Sequence, residues 1–152
     1  KSGLDSYEGV NVDGNHATVG ERHYILNGNG EWQKISEEQV QKQMPFAKVY
    51  GGYSLYITYA SDLNDIHADK DASGKSINGS RKEKVLNYIN NLDADFYTKV
   101  ILFKSEYPSD DTYNRDIVNY INERSDLSYE DKVAILTELG FRVTADGQIY
   151  AD

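Results

Sequence analysis

An oxygen-rich loop is the clearest chemical pattern in the chain. Residues 69–75 read DKDASGK, with oxygen side chains at positions one, three and five, a glycine at six and a backbone carbonyl at seven. This spacing is typical of the opening of an EF-hand, because calcium binds several oxygen ligands. The candidate metal ligands are Asp69, Asp71, Ser73 and Lys75.

The end of this loop departs from the EF-hand pattern. Position twelve is Ser80 where a bidentate glutamate is expected, and the hydrophobic Ile77 lies one place late. We therefore favour a solvated acidic loop between helices. A calcium site completed by Asp65 or water is the alternative, and no other cofactor is indicated.

A second cluster of chemical side chains lies near the N-terminus. His16, Glu21 and His23 could form a metal or acid–base site, but their spacing matches no ligand pattern. Histidines beside a hairpin are more often surface residues, and His67 is isolated in sequence. A pocket uniting His16, His23 and a carboxylate would favour an enzyme. No nucleophile elbow or phosphate-binding glycine loop is present in the sequence.

An internal duplication organises the second half of the chain. The segment VLNYIN at 85–90 returns as IVNYIN at 117–122, 32 residues later, and KVIL at 99–102 returns as KVAI at 132–135, 33 residues later. In each copy two apolar segments at helical spacing flank a short acidic connection. Each copy is predicted to be a helical hairpin, and the two hairpins are expected to share one core.

Turn and capping signals predict the remaining elements. Asparagine–glycine pairs predict a hairpin over 23–35, and aspartate–glycine predicts another over 142–150. Residues 1–20 are expected to be irregular. Ser36 begins a helix that Pro45 is expected to end. The segment 46–63 fits both periodicities, and we favour helix because it is long.

These elements predict a mainly α fold of the α+β class, with two tandem helical hairpins and small β-hairpins near both ends. The expected domains are 1–47, a β-hairpin with a short helix, and 48–152, a helical repeat domain with an acidic loop at 65–80. We expect the core of the repeat domain to contain Val85, Leu86, Ile89, Val100, Leu102, Phe103, Ile117, Val118, Ile121, Val133, Ile135 and Leu136.

Composition narrows the classes of partner. The formal charge of −9 and pI near 4.8 argue against binding to nucleic acid or anionic membranes, and favour proteins, cations or basic ligands. No segment approaches the roughly 18 apolar residues of a membrane span. Thirteen tyrosines suit a contact surface, because tyrosine is amphipathic.

The amino-acid sequence of the repeat region resembles that of a known class of protein. Its motifs include DKD at 69–71, GSRK at 79–82, NYIN at 87–90 and LGF at 139–141. Over residues 48–150 it resembles the helical repeat region of large virion-associated, polyvalent or tape-measure-like proteins of phages and prophages of Gram-positive bacteria. The resemblance implies a non-catalytic part of such a protein, located in the virion or the host cytoplasm.

Three functional hypotheses follow. The first is a structural, protein-interaction module that is not an enzyme, cut from a longer phage-type polypeptide and bound to other virion parts or to its parent chain. The second is a calcium-stabilised binding module, loosely dockerin-like, although a dockerin carries a second loop. The third is an enzyme that uses the N-terminal half.

Overall fold

The computed structural model describes residues 9–77 and 80–151. The predicted irregular stretch at 1–8 and the predicted loop positions 78 and 79 lie outside the described residues. The chain divides into two compact units, Lys1–Asp65 and Ile66–Asp152. The division differs from the expected boundary after residue 47, because the second helix of the first unit packs on the first helix and on a strand of that unit. The described fold is mixed α+β.

A four-stranded antiparallel sheet begins the first unit. Its strands pair in sequence order and are β1 Val10–Asp13, β2 His16–Val19, β3 Arg22–Leu26 and β4 Trp32–Ile35. The hairpin predicted at 23–35 is confirmed. The irregular conformation expected over residues 9–20 is wrong, because Gly14 and Gly20, with φ of 57° and 62°, form tight turns that return the chain on itself.

Two helices follow the sheet. They are α1, Glu37–Val49, and α2, Tyr53–Asn64, so the helix that we favoured over 46–63 is confirmed but interrupted. Gly51 and Gly52 separate the helices, with φ of 93° and 136° that other residues rarely adopt. The prediction that Pro45 ends α1 is wrong, because Pro45 lies buried within the helix. Burial of Ala47 and Val49 beyond the proline offsets the one missing helical hydrogen bond.

The first unit buries one face of its sheet under the helices. α1 contacts β3 and α2 contacts β2. This packing excludes water from a small apolar core, which stabilises both layers. The cluster consists of Ile35, Val40, Ala47 and Tyr53, with Ile25, Met44, Tyr56 and Ile57 packed against it.

The second unit is a row of helices with a small hairpin at each end. Its elements are β5 Asp69–Lys70, β6 Ser76–Ile77, α3 Arg81–Asn90, α4 Phe96–Glu106, α5 Asn114–Glu123, α6 Tyr129–Glu138, β7 Phe141–Val143 and β8 Ile149–Ala151. Each helix contacts the next, so α4 joins the two sequence copies. The hairpin predicted over 142–150 is confirmed as β7 and β8. The predicted loop at 65–80 contains the short hairpin of β5 and β6, which the sequence reasoning missed.

The two copies repeat a side-chain contact as well as a sequence. In the first copy, Nζ of Lys99 donates to the carbonyl of Asn90 at 3.0 Å, and in the second, Nζ of Lys132 donates to the carbonyl of Asn122 at 2.8 Å. Each lysine thus binds the C-terminal end of the preceding helix, where carbonyls lack helical partners and the dipole favours a cation. The same device therefore closes both hairpins.

The core of the second unit draws on both copies. Val85, Ile89, Ile117 and Ile121 are buried at matching positions, as predicted. Four predicted core residues are only partly buried, namely Leu86, Phe103, Val118 and Val133. Four buried residues were missed, namely Ile101, Leu127, Leu139 and Phe141. They were missed because α4 is covered on two sides and because the chain after each helix folds back over the core.

Candidate functional site

The predicted calcium loop is built as a tight turn. Oδ1 of Asp71 accepts hydrogen bonds from Ser73 N at 3.0 Å, Ser73 Oγ at 2.7 Å and Lys75 N at 2.9 Å. The amide of Asp71 also donates to the carbonyl of Lys75 at 2.9 Å, and Gly74 has a φ of 85°. These bonds hold the pKa of the Asp71 carboxyl below its ordinary value, first through the Ser73 side chain.

The other candidate ligand, Asp69, is engaged elsewhere. Its Oδ1 lies 2.7 Å from Nζ of Lys84 on α3, which also donates to the carbonyl of His67 at 2.8 Å. The structure therefore brings Asp71, Ser73 and Lys75 together around one carboxylate oxygen and turns Asp69 toward the helix. Among residues 9–77 and 80–151, no group of three or more histidine, aspartate and glutamate side chains is arranged to hold a metal ion.

The same turn also occurs at two other places among the described residues. At Asn27 and at Thr144, the amide donates to a carbonyl four residues later at 2.9 Å, and the glycine three residues later has φ of 79° and 87°. At both places the side-chain oxygen also accepts the amide four residues on, at 3.0 Å. The residue types of the DASG sequence are thus explained by the hairpin turn that they form. Calcium binding stays a prediction.

The second predicted cluster is partly assembled in the first unit. Nε2 of His16 lies 3.0 Å from Nδ1 of His23, and Nε2 of His23 lies 2.8 Å from Oε2 of Glu37. Thr18 pairs with His23 across β2 and β3, which places both histidines on one face of the sheet. The carboxylate of the cluster is thus Glu37, in the first turn of α1, and not the predicted Glu21. Only the tertiary packing of α1 on β3 brings it there.

These distances fix where hydrogens lie when both rings are neutral. One hydrogen fits between the facing ring nitrogens, so one ring donates and the other accepts. Because the Glu37 carboxylate accepts from Nε2 of His23, the neutral His23 ring carries no hydrogen on Nδ1 and accepts from Nε2 of His16. Nδ1 of His16 is then the free base of the pair.

Burial and charge set the protonation of the cluster. Burial lowers the pKa of His16 below 6.5, and the nearby His23 lowers it further, against an opposing effect of Asp13. The pKa of Glu37 is also lowered, first by the hydrogen bond from Gln41 and then by His23. The arrangement favours a neutral His16 beside an ionised Glu37.

Tyr53 covers the other side of His16. Its ring meets the imidazole edge-on with centroids 4.6 Å apart, and its hydroxyl donates to Oε1 of Gln43. Burial raises the pKa of Tyr53 to about 12, with a further contribution from Tyr56. Tyr53 therefore remains a neutral hydrogen-bond donor near neutral pH, and it holds His16 in place by packing.

An exposed aromatic cluster lies on the second unit. We call Tyr113, Phe96, Tyr97 and Tyr120 the aromatic row, because each ring contacts the next. The centroid of Phe96 lies 5.6 Å from Tyr113 and 5.4 Å from Tyr97, both edge-to-face. Tyr97 stacks on Tyr120 at 4.7 Å. Phe96, Tyr97 and Tyr113 are 53%, 40% and 38% exposed. The sequence reasoning missed this cluster, although the tyrosine content suggested a contact surface.

Both ends of the aromatic row are anchored. At one end, the guanidinium of Arg124 lies 5.4 Å from the Tyr120 ring centroid and binds Asp126 through two bonds, at 2.8 and 2.6 Å. These contacts raise the pKa of Arg124, with the Asp126 bond as the largest cause. At the other end, the segment that leads to Tyr113 is held by Lys104.

Lys104 is the buried charge that fixes this connection. Only 4% of the residue is exposed, and its Nζ donates to the carbonyls of Pro108 and Asp110. Burial lowers the pKa of Lys104, against the opposing charges of Asp110 and Asp111. The ammonium also lies 5.1 Å from the ring centroid of Phe141. The connection between the copies is thus tied to α4, so Tyr113 begins α5 from an anchored position.

Comparison with known proteins gives no match to a family model, a curated protein or a solved structure. Within residues 9–77 and 80–151, no helix combines the length and apolar character that crossing a membrane requires.

Proposed function

We propose that this chain is a non-catalytic structural module that binds another protein through the aromatic row. The observation that carries the proposal is the contiguous exposure of Phe96, Tyr97 and Tyr113 on an anchored helical surface. An aromatic patch of this kind loses contact with water when a partner covers it, and that burial favours association. Tyrosine suits such contacts because it offers a large ring with few rotatable bonds.

A comparison of the two sequence copies supports this proposal. Phe96 and Tyr129 are the first residues of the second helix in their respective copies, and they are 53% and 59% exposed. The ring of Phe96 contacts two neighbouring rings, whereas the sequence places Glu130 after Tyr129 where Tyr97 follows Phe96. One copy of the duplicated scaffold thus carries the contiguous surface.

The resemblance of residues 48–150 to virion-associated proteins suggests the setting. On that reading, the module belongs to a larger phage-type polypeptide, and its partner is another virion protein or another part of the same polypeptide. It acts in the virion or in the cytoplasm of the bacterial host.

The test is binding by purified variants of the full chain. The proteins encoded beside it and the remaining parts of its own polypeptide are titrated against wild type, the double variant Phe96→Ser/Tyr113→Ser and the matched control Tyr129→Ser. We expect a partner that the double variant binds at least about tenfold more weakly, while the control binds as wild type does. Equal binding by all three forms, or no binding to any of these proteins, refutes the proposal.

A second candidate function is acid–base catalysis in the first unit. It is favoured by one observation, the chain of hydrogen bonds that joins Glu37, His23 and His16. A carboxylate that orients an imidazole is the arrangement of a general base, and Nδ1 of His16 is the basic end of this chain. The proton would enter at that nitrogen, and the charge would be stabilised through His23 by Glu37.

An ester hydrolysis assay tests this second candidate. The rate for an activated aryl ester is followed with pH in wild type, His16→Ala and Glu37→Gln, with His67→Ala as the control because His67 is exposed and lies outside the cluster. We expect both cluster variants to lose activity and the Glu37 variant to change the pH profile. Activity that falls equally in the His67 control indicates only unspecific imidazole catalysis and rejects the candidate.

A further inference from the structure

We infer that the aromatic row binds a basic segment of a partner protein, with lysine or arginine side chains lying against its rings. The inference rests on the proposed function and names the chemistry of the partner. Two observations carry it: the charges of the segments that hold the row, and the cation–ring contacts that the chain makes elsewhere.

The segments that carry the row are acidic. Residues 93–97 and 110–120 contain five carboxylates and a single basic side chain, Arg115. The carboxylates are Asp93, Asp95, Asp110, Asp111 and Asp116. Asp95 caps α4 beside Phe96 through a 2.8 Å bond from Thr98 N, and Asp116 lies in the first turn of α5. Asp110 and Asp111 interact with the buried Lys104, so Asp93, Asp95 and Asp116 are the carboxylates left to flank the exposed rings. A cation against these rings is attracted by the ring faces and by these three carboxylates, whereas an anion is repelled.

The chain already uses the same contact internally. Arg124 lies over Tyr120 at the end of the row, Lys82 over Tyr107 at 5.2 Å and Arg142 over Tyr150 at 5.4 Å. Tyr120 is thus occupied by a cation of the chain. The rings of Tyr113, Phe96 and Tyr97 continue the row beyond it and offer the same kind of contact to a partner.

Synthetic peptides test the inference directly. The probe is a short peptide of lysine and serine, titrated against the full chain while the ring signals of Phe96 and Tyr113 are followed by NMR. The comparison peptides have glutamine or glutamate in place of lysine. We expect the lysine peptide to bind most tightly, and its binding to weaken about tenfold in Phe96→Ser/Tyr113→Ser but not in Tyr129→Ser.

The outcomes separate this inference from the proposed function. Equal or tighter binding of the glutamine or glutamate peptide overturns the inference, as does equal binding by the double variant. If a natural partner binds through the row but is unaffected when its lysines and arginines are replaced by glutamine, the inference fails and the proposed function stands. If no natural partner depends on the row, the proposed function fails whatever the peptides do.

Discussion

The two sequence copies should unfold as one cooperative unit, and a matched pair of substitutions tests this. Ile89 in α3 and Ile121 in α5 occupy the same position in the repeat and are 3% and 0% exposed. α4 contacts both α3 and α5, and its Ile101 is fully buried, so α4 links the two copies. Ile89→Ala should therefore weaken α5 and α6 as much as it weakens α3.

The magnitude follows from burial. Replacing a fully buried isoleucine by alanine costs about 2–5 kcal/mol through lost transfer energy and the cavity that remains. At about 3.5 kcal/mol, the protection of the most stable amides against hydrogen exchange should fall on the order of several hundredfold, since every 1.4 kcal/mol is tenfold. Ile121→Ala should produce a similar fall, and its effect should extend to α3.

Native-state hydrogen exchange by NMR is the suitable assay, because it reports each helix separately. The control is Thr137→Ala, an exposed position of α6, which should change stability by no more than about 0.5 kcal/mol. If Ile89→Ala leaves the amides of α5 and α6 at wild-type protection, the copies fold independently. The two copies would then not unfold as one cooperative unit.

Three further predictions concern the cluster, the loop and the repeated lysines. Folding lowers the pKa of His16, so the stability that its neutral form contributes is present above pH 6.5 and is lost as the pH falls below it. The fluorescence of Trp32, the only tryptophan, should therefore report a lower denaturation midpoint at pH 5 than at pH 7.5. His16→Phe should reduce that difference. Because Oδ1 of Asp71 already accepts three hydrogen bonds, we expect the same melting temperature with calcium as with chelator, and a calcium-dependent rise that Asp71→Asn abolishes would restore the metal site. Lys99→Met and Lys132→Met should each cost about 0.3–1 kcal/mol in urea unfolding, whereas unequal costs would show that the repeated contact is not energetically equivalent.

Local sequence determined most of the secondary structure. Ser36 begins α1 where the sequence placed it, and Ser80, Asp95 and Ser128 cap later helices in the same way. Such caps are local, because they satisfy orphan amides within one turn. The hairpins around Asn27 and Thr144 follow equally local turn chemistry. The strands over 10–19 and the short pair at 69–77 were missed although glycines mark their turns, since strands this short carry little hydrophobic pattern.

The duplication was also readable in the sequence, and with it the predicted core of the second unit. The burial of four residues could be predicted because the helical period and the match between the two copies indicate the same helix faces. These residues are Val85, Ile89, Ile117 and Ile121. Residues after the helices, such as Leu139, were missed because their burial depends on where the chain turns back. Pro45 was misread for a related reason: packing on both sides of it maintains a helix that local geometry disfavours.

The candidate sites show the sharpest division between sequence and tertiary structure. Chain spacing identified two histidines but attached the wrong carboxylate, since Glu37 reaches His23 only when α1 packs on the sheet. The loop pattern identified oxygen side chains, but folding directs those of Asp69 and Asp71 to a lysine and to backbone amides. The aromatic row joins residues from α4 and α5 that lie far apart in sequence, so only the packing of those helices could form it. Local chemistry decides where elements begin and end, and the folded arrangement decides which side chains meet.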